Sequence, residues 1–159
     1  MIPVTLEHGS LSDNEERIES IEEVRAYIQN LNYALNNGAQ LIIQKERRVD
    51  RERNYMFTNR YTIADLFSEE DPVNALRREL RALKVEDYRR TVVDTTYTTR
   101  PEFREFGKTY DGKDVYIKIR VELVTSVGGK SVFVMSFHYA EYEFKNGSFP
   151  YRKNEGGCL

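Results

Sequence analysis

DVYIKIRVELVTSVGGKSVFVMSFHYAEYE, residues 114–143, decides the fold, because it reads as two long β-strands joined at Gly128-Gly129. In the first strand Val115, Ile117, Ile119, Val121 and Leu123 alternate with Tyr116, Lys118, Arg120 and Glu122. That is the period of a half-buried strand, with one face toward a core and the other left for solvent or chemistry. In the second, Phe133, Met135 and Phe137 alternate with Val132, Val134, Ser136 and His138, so both faces are largely apolar and a central position follows. If the bulky aromatics share the core face with the isoleucines, parity puts Ser136 and His138 with Tyr116, Lys118 and Arg120.

Upstream, Asp111-Gly112 is a type I′ hairpin signal, and residues 103–110 read as the preceding strand of an antiparallel meander. The most secure helix starts at Ser20, where Ser20 and Glu23 form an S-x-x-E capping box. Its stripe is Ile21, Val24, Ile28, Leu31 and Leu35, and Asn37-Gly38 closes it. A strand is expected from Ala39, fading near Arg47 and lying at a sheet edge. The mixed-charge segment KERRVDRER, residues 45–53, reads either as a solvated hairpin tip or as a mobile arginine arm for RNA phosphates. Residues 54–61 suggest a short strand, and Thr62 an N-cap for a brief helical turn. Asp71 and Pro72 open a second main helix with stripe Val73, Leu76, Leu80 and Leu83. The Thr-rich run 91–99 with Arg100-Pro101 favours an extended loop or weak strand.

Together these elements predict one α+β domain over residues 1–159: a twisted antiparallel meander packed by two main helices. Residues 1–19 form a partly ordered arm, 20–150 the core and 151–159 a flexible tail. A chain of 159 residues, 40% hydrophobic and 31% charged, suits one domain with a sizeable core. The formal net charge of -2 gives no whole-molecule attraction for polyphosphate, so nucleic-acid binding would rest on a local patch. Cys158 is the lone cysteine, which leaves no internal disulfide or cysteine metal cluster. No apolar run approaches the ~20 residues of a membrane helix, and MIPVTLEHGS lacks a basic leader and apolar core, so a cytoplasmic protein with no membrane partner is expected. There is no P-loop, dinucleotide glycine motif, H-E-x-x-H pair or G-x-S-x-G elbow, and no cofactor or metal is expected.

The succession Val85-Glu86-Asp87-Tyr88-Arg89-Arg90-Thr91, then Asp114-Val115-Tyr116-Ile117-Lys118-Ile119, then Val134-Met135-Ser136-Phe137-His138 resembles the MqsR-like toxins of bacterial toxin-antitoxin pairs. The resemblance covers roughly the last half of the chain. It implies a RelE-like fold and a metal-independent endoribonuclease that cuts messenger RNA until a cognate antitoxin binds it. It also places Arg90, Tyr116, Lys118 and His138 on the family's functional positions. This chain departs from the family in having no glutamine just before Asp114-Val115-Tyr116 and in being acidic overall.

The chemistry can be stated without the resemblance. Metal-free RNA cleavage needs an acceptor for the 2′-OH proton, fixed cations at the phosphorane and a donor for the leaving 5′ oxygen. His138 is the proton carrier by its ordinary pKa near ~6.5. Lys118 and Arg90 are the clamp, and Tyr116 stacks a base or orients the phosphate. Arg120, Arg104, Arg100 and Ser136 are candidate substrate-binding residues. The alternative is a non-catalytic protein-binding, immunity or adaptor module using the same face, or a decayed toxin relative that binds without cutting.

Overall fold

In the computed structural model, which describes residues 15–124 and 128–153, the first helix begins where local chemistry says it should. Ser20 Oγ accepts from Glu23 N at 3.2 Å, and Ser20 N donates to the Glu23 carboxylate at 3.0 Å. Helix α1, Ile21–Asn36, buries Val24, Leu31, Ala34 and Leu35. Gly38, at φ 82°, turns the chain out of it. From there β2, Gln40–Ile43, follows directly.

The second main helix also forms as its signals require. Asp71 accepts from Asn74 N and Pro72 opens the helix over Pro72–Arg81, which we label α3; between β2 and α3 lies a shorter helix α2, Asn59–Leu66. The buried side of α3 is Ala75, Leu76 and Leu80, while Val73 is exposed. Arg77 donates to the carbonyls of Leu35 and Ala39 at 2.9 and 3.0 Å, so this cation closes the open C-terminal end of α1.

Six strands form one sheet in the order β1-β3-β4-β5-β6-β2. The remaining strands are β1, Glu16–Arg17; β3, Tyr88–Val92; β4, Phe103–Tyr110; β5, Lys113–Glu122; and β6, Ser131–Tyr139. β3 through β6 are the antiparallel meander, and Asp111 and Gly112, at φ 51° and 78°, make the expected tight turn between β4 and β5. The sheet as a whole is mixed, because β2 lies parallel to β6 with Leu41 beside Val132. This corrects the purely antiparallel expectation. The free edge of β6 accepts the strand that α1 delivers, and Leu41 completes the core.

All three helices pack on one face. Leu31, Leu35, Ile63, Leu76 and Leu80 join Phe106, Ile117, Ile119, Val132, Val134 and Phe137 in a single cluster. Each such side chain contributes ~1.5–3 kcal/mol on burial. Tyr116, Lys118 and Arg120 stand on the opposite, helix-free face.

Two irregularities shape that face. In β6 the register passes from Lys118 opposite Ser136 to Ile119 opposite Val134, leaving Met135 as an extra residue. Val134 and Phe137, three positions apart, are therefore both fully buried in the core. Simple parity fails here: Phe133 lies opposite Arg120, away from the core face, while Val132 and Val134 are the inward residues. In β3 the register shifts between Tyr88 and Arg90, which leaves Arg89 as the extra residue.

Residues 54–61 contain no strand. Tyr55–Phe57 is a single turn, and the N-cap of α2 is Thr58 rather than Thr62. Asn59 and Thr62 serve the sheet instead. Beyond Val134, β6 has no β2 residue beside it, and α2 supplies the missing partners. Asn59 Nδ2 donates to Gln44 O at 2.7 Å and Met135 O at 2.9 Å, while its Oδ1 accepts from Phe137 N at 2.9 Å. Thr62 Oγ1 accepts from Tyr139 N at 2.8 Å.

The ends of the described chain are tied in. Glu16 and Arg17 pair with β3, and Glu19 is buried against Thr91 and Arg104. Tyr151 stacks on Tyr88 and donates to Glu19 O. The expected arm and tail are thus anchored at 15–19 and 151; the rest of the arm, residues 1–14, and the tail from 154 lie outside the described residues, as do 125–127 in the β5–β6 connection. No helix among the described residues is long and apolar enough to cross a membrane.

Candidate active site, a cationic cleft between two bulges

His138 lies opposite Tyr116 across β5 and β6, with ring centroids 5.5 Å apart, and Ser136 lies opposite Lys118. These four line a cleft of about 540 Å³. The β6 bulge is what allows Ser136 and His138 to face it while Phe137 stays inside. Across the cleft the β3 bulge turns Arg89 inward. Its guanidinium lies 4.8 Å from the Phe144 ring and 5.6 Å from the Tyr116 ring.

The segment after β2 closes one side. Arg48–Glu52 forms a 3-10 turn, so 45–53 is folded against the open face rather than extended as a hairpin tip. Arg47 Nη1 donates to Ser136 Oγ at 3.1 Å, and Arg53 Nη1 lies 3.4 Å from His138 Nε2. Asp50 Oδ2 accepts from Arg47 N at 3.0 Å and holds the turn in shape.

The protonation state of His138 follows from its partners. Its Nδ1 lies 3.0 Å from the carbonyl of Tyr139, which can only accept, so Nδ1 carries the proton and Nε2 keeps a lone pair. Burial lowers the His138 pKa from 6.5, and the charges of Arg53 and Arg47 push in the same direction. At neutral pH this is a neutral imidazole. Lys118 is also lowered by burial, with Arg47 and Arg90 adding to the effect and Glu105 opposing it. Burial, then Glu105, raises the Tyr116 phenol, so it remains protonated.

Beneath this group sits Glu105, 1% exposed and opposite Lys118 across β4 and β5. It accepts from Arg90 Nε at 2.8 Å and pairs with Arg89 at 3.6 Å. Its carboxylate is the buried counterion of the cleft.

Of the residues singled out from sequence, Tyr116, Lys118, Ser136 and His138 share the cleft. Arg90 stands at its edge, bound by Glu105 and Glu16. Arg104 is elsewhere: it projects to the helix side, where Glu19 receives it at 2.8 Å and Tyr27 lies under its guanidinium at 4.4 Å. Arg120 is on the open face but buried, paired with Asp94 at 2.7 Å. Arg100 lies in the 93–102 loop against Tyr97, in a neighbouring concavity.

Arg47, Arg53, Arg89 and Glu105 complete the cleft and were not singled out individually. The arginine-arm reading of 45–53 was the signal for the first two. Arg89 had no signal, because only a bulge brings it beside Arg90 on one face. Among the described residues no group of three or more His, Cys, Asp or Glu side chains is placed to hold a metal ion.

Comparison with protein-family models, curated proteins and solved structures finds no match to the chain.

Proposed function

We propose that the chain is a metal-independent endoribonuclease of the toxin type, with the cleft around His138 as its active site. The observation that carries this reading is the unprotonated Nε2 of His138 in a pocket shared with Lys118, Arg47, Arg53 and Arg89. Side chains of this kind supply each part that cleavage by 2′-OH attack requires.

In the proposed step His138 Nε2 takes the proton of the ribose 2′-OH. The resulting oxygen attacks the adjacent phosphorus, and the bond from phosphorus to the 5′ oxygen breaks. Lys118, whose lowered pKa makes it the better proton donor, protonates that leaving oxygen. The products are a 2′,3′-cyclic phosphate and a 5′-hydroxyl end. Arg47 and Arg89 stabilise the charge that builds on the phosphorane, and Arg53 leaves Nε2 when substrate enters. Burial lowers the Arg47 pKa and the charge of Arg53 lowers it further, so an incoming phosphate relieves the repulsion between the two.

The RelE-like form of the fold, control by a cognate antitoxin and a cytoplasmic setting belong to the same proposal. The antiparallel run of β3 to β6 with helices on one face supports the first, and the parallel β2 is an addition to it.

A non-catalytic protein-binding role is favoured by one observation, the position of Arg53 over Nε2. One experiment separates the two. Purified wild type, His138→Ala and Lys118→Ala are incubated with a mixed RNA, and new ends are mapped. Cleavage leaving 5′-hydroxyl ends, reduced by ~10²–10⁴-fold in folded His138→Ala, is the expected result. Intact RNA with folded wild type would reject the enzyme and leave the binding role.

A further inference from the structure

Past Lys118 on the same open face lies a second concavity, of about 870 Å³. Its floor is aromatic: the Phe103 and Phe133 rings sit with centroids 6.2 Å apart. The Arg120 guanidinium lies over both, at 4.8 and 5.1 Å. Lys118 Nζ is 5.1 Å from the centroid of the same Phe103 ring, so Phe103 is the wall between this hollow and the cleft. The two form one continuous surface.

At its rim stands Tyr97, 58% exposed. A large aromatic left in water on a loop would ordinarily wander, yet the backbone that carries this one is pinned. Asp94 Oδ1 accepts from the backbone N–H groups of Thr96 and Tyr97, each at 2.9 Å, while Asp94 Oδ2 binds Arg120 at 2.7 Å. A buried ion pair in the floor therefore pins the turn that displays the ring. Arg100 lies 5.1 Å from the Tyr97 centroid, and Lys130 and the carboxamides of Gln40 and Gln44 line the remainder. Asp94 and Glu122 share Arg120, at 2.7 and 3.5 Å, and Lys130 Nζ lies over the Tyr33 ring at 5.5 Å, which leaves Arg100 as the exposed rim cation.

We propose that this hollow binds the bases of single-stranded RNA that flank the scissile phosphate, with Tyr97 as a stacking platform and Arg100 as a backbone contact. This rests on the ribonuclease reading of the neighbouring cleft for its position, but on its own residues for its ligand. An exposed aromatic ring stacks any base, a neighbouring cation meets a phosphate, and carboxamides reach base edges. Pinning the turn in advance reduces the ordering entropy that binding would otherwise cost.

The test uses the full chain and a fluorescent hexanucleotide of mixed sequence with every ribose 2′-O-methylated, which cannot be cut by 2′-OH attack. Binding is read by anisotropy, and cleavage of unmodified dinucleoside monophosphates is measured alongside. Tyr97→Ala is expected to weaken hexamer binding about tenfold, Tyr97→Phe to preserve it, and Arg100→Gln to reduce the salt dependence by about one phosphate contact. Dinucleotide cleavage is expected to stay unchanged in all three, because they lie outside the cleft. Both side chains are exposed, so the variants should melt with wild type. If wild type binds the hexamer through Tyr97 but cuts no RNA, the hollow stands and the ribonuclease reading falls. If RNA is cut while hexamer affinity is indifferent to Tyr97→Ala and Arg100→Gln, the hollow is not an RNA site. Failure of wild type to bind the hexamer rejects it as well, and a protein occupant becomes the explanation to pursue.

Discussion

Glu105 sets the charge of the cleft from below. A carboxylate at 1% exposure would be costly alone, but Arg90 and Arg89 reach it and it opposes the fall in the Lys118 pKa. It touches no solvent-facing ligand position, so we treat it as a positioning residue. If Lys118 delivers the proton to the leaving oxygen, the alkaline limb of the pH-rate profile reports its titration, somewhere below 10.5, and the acid limb reports His138, below 6.5. Glu105→Gln removes the charge that raises Lys118. The alkaline limb should then move to lower pH while the acid limb changes less. An unmoved alkaline limb in a folded Glu105→Gln protein would sever Lys118 from the proton-donor role.

The elements differ in how far their sequences announce them. The Ser20 and Glu23 cap, the Asp71-Pro72 start and the Asp111-Gly112 turn are read correctly because each depends on neighbours within a few residues. Asn59 is different. Its partner Met135 is 76 positions away, and nothing near Asn59 says that a strand edge waits for it. The same applies to both bulges, which local alternation cannot show because each is a relation between two strands. That is why Tyr116, Lys118 and His138 were legible as one face while Arg89 and Glu105 were not. Asn59→Ala leaves one buried and two part-buried backbone groups without their partner and should cost roughly 3 kcal/mol, read as a lower denaturation midpoint with unchanged m. Gly107→Ala acts at the opposite side. A Cβ there would come within 2.7 Å of the Phe144 ring and 2.8 Å of the Phe149 ring, so the two rings must shift. Arg89 stacks on the Phe144 ring at 4.8 Å and would be displaced with it, so if the cleft cuts RNA, cleavage should fall more than stability does.

At the scale of the whole molecule, Glu19 ties both ends of the described chain to the sheet. Burial alone would raise its pKa, but hydrogen bonds from Arg104 and Thr91 outweigh it, and the pKa is lowered from 4.5. A carboxyl whose native pKa is depressed contributes stability above its unfolded value and loses it as pH falls through the native one. His138, lowered from 6.5, also favours the folded state only while neutral, so its contribution begins to fade below 6.5. Acid unfolding should therefore show two stages, the first removed by His138→Ala and the second blunted by Glu19→Gln in denaturation midpoints measured across pH. The sheet's parallel edge has a further consequence, for the order of synthesis. Arg47 and Arg53 meet partners on β6 that lie 89 and 85 residues later in the chain. At ~5–20 residues per second, translation separates them by roughly 4–18 s. Every nascent chain thus carries its two arginines long before the serine and histidine they meet, and the cleft cannot assemble until β6 has emerged.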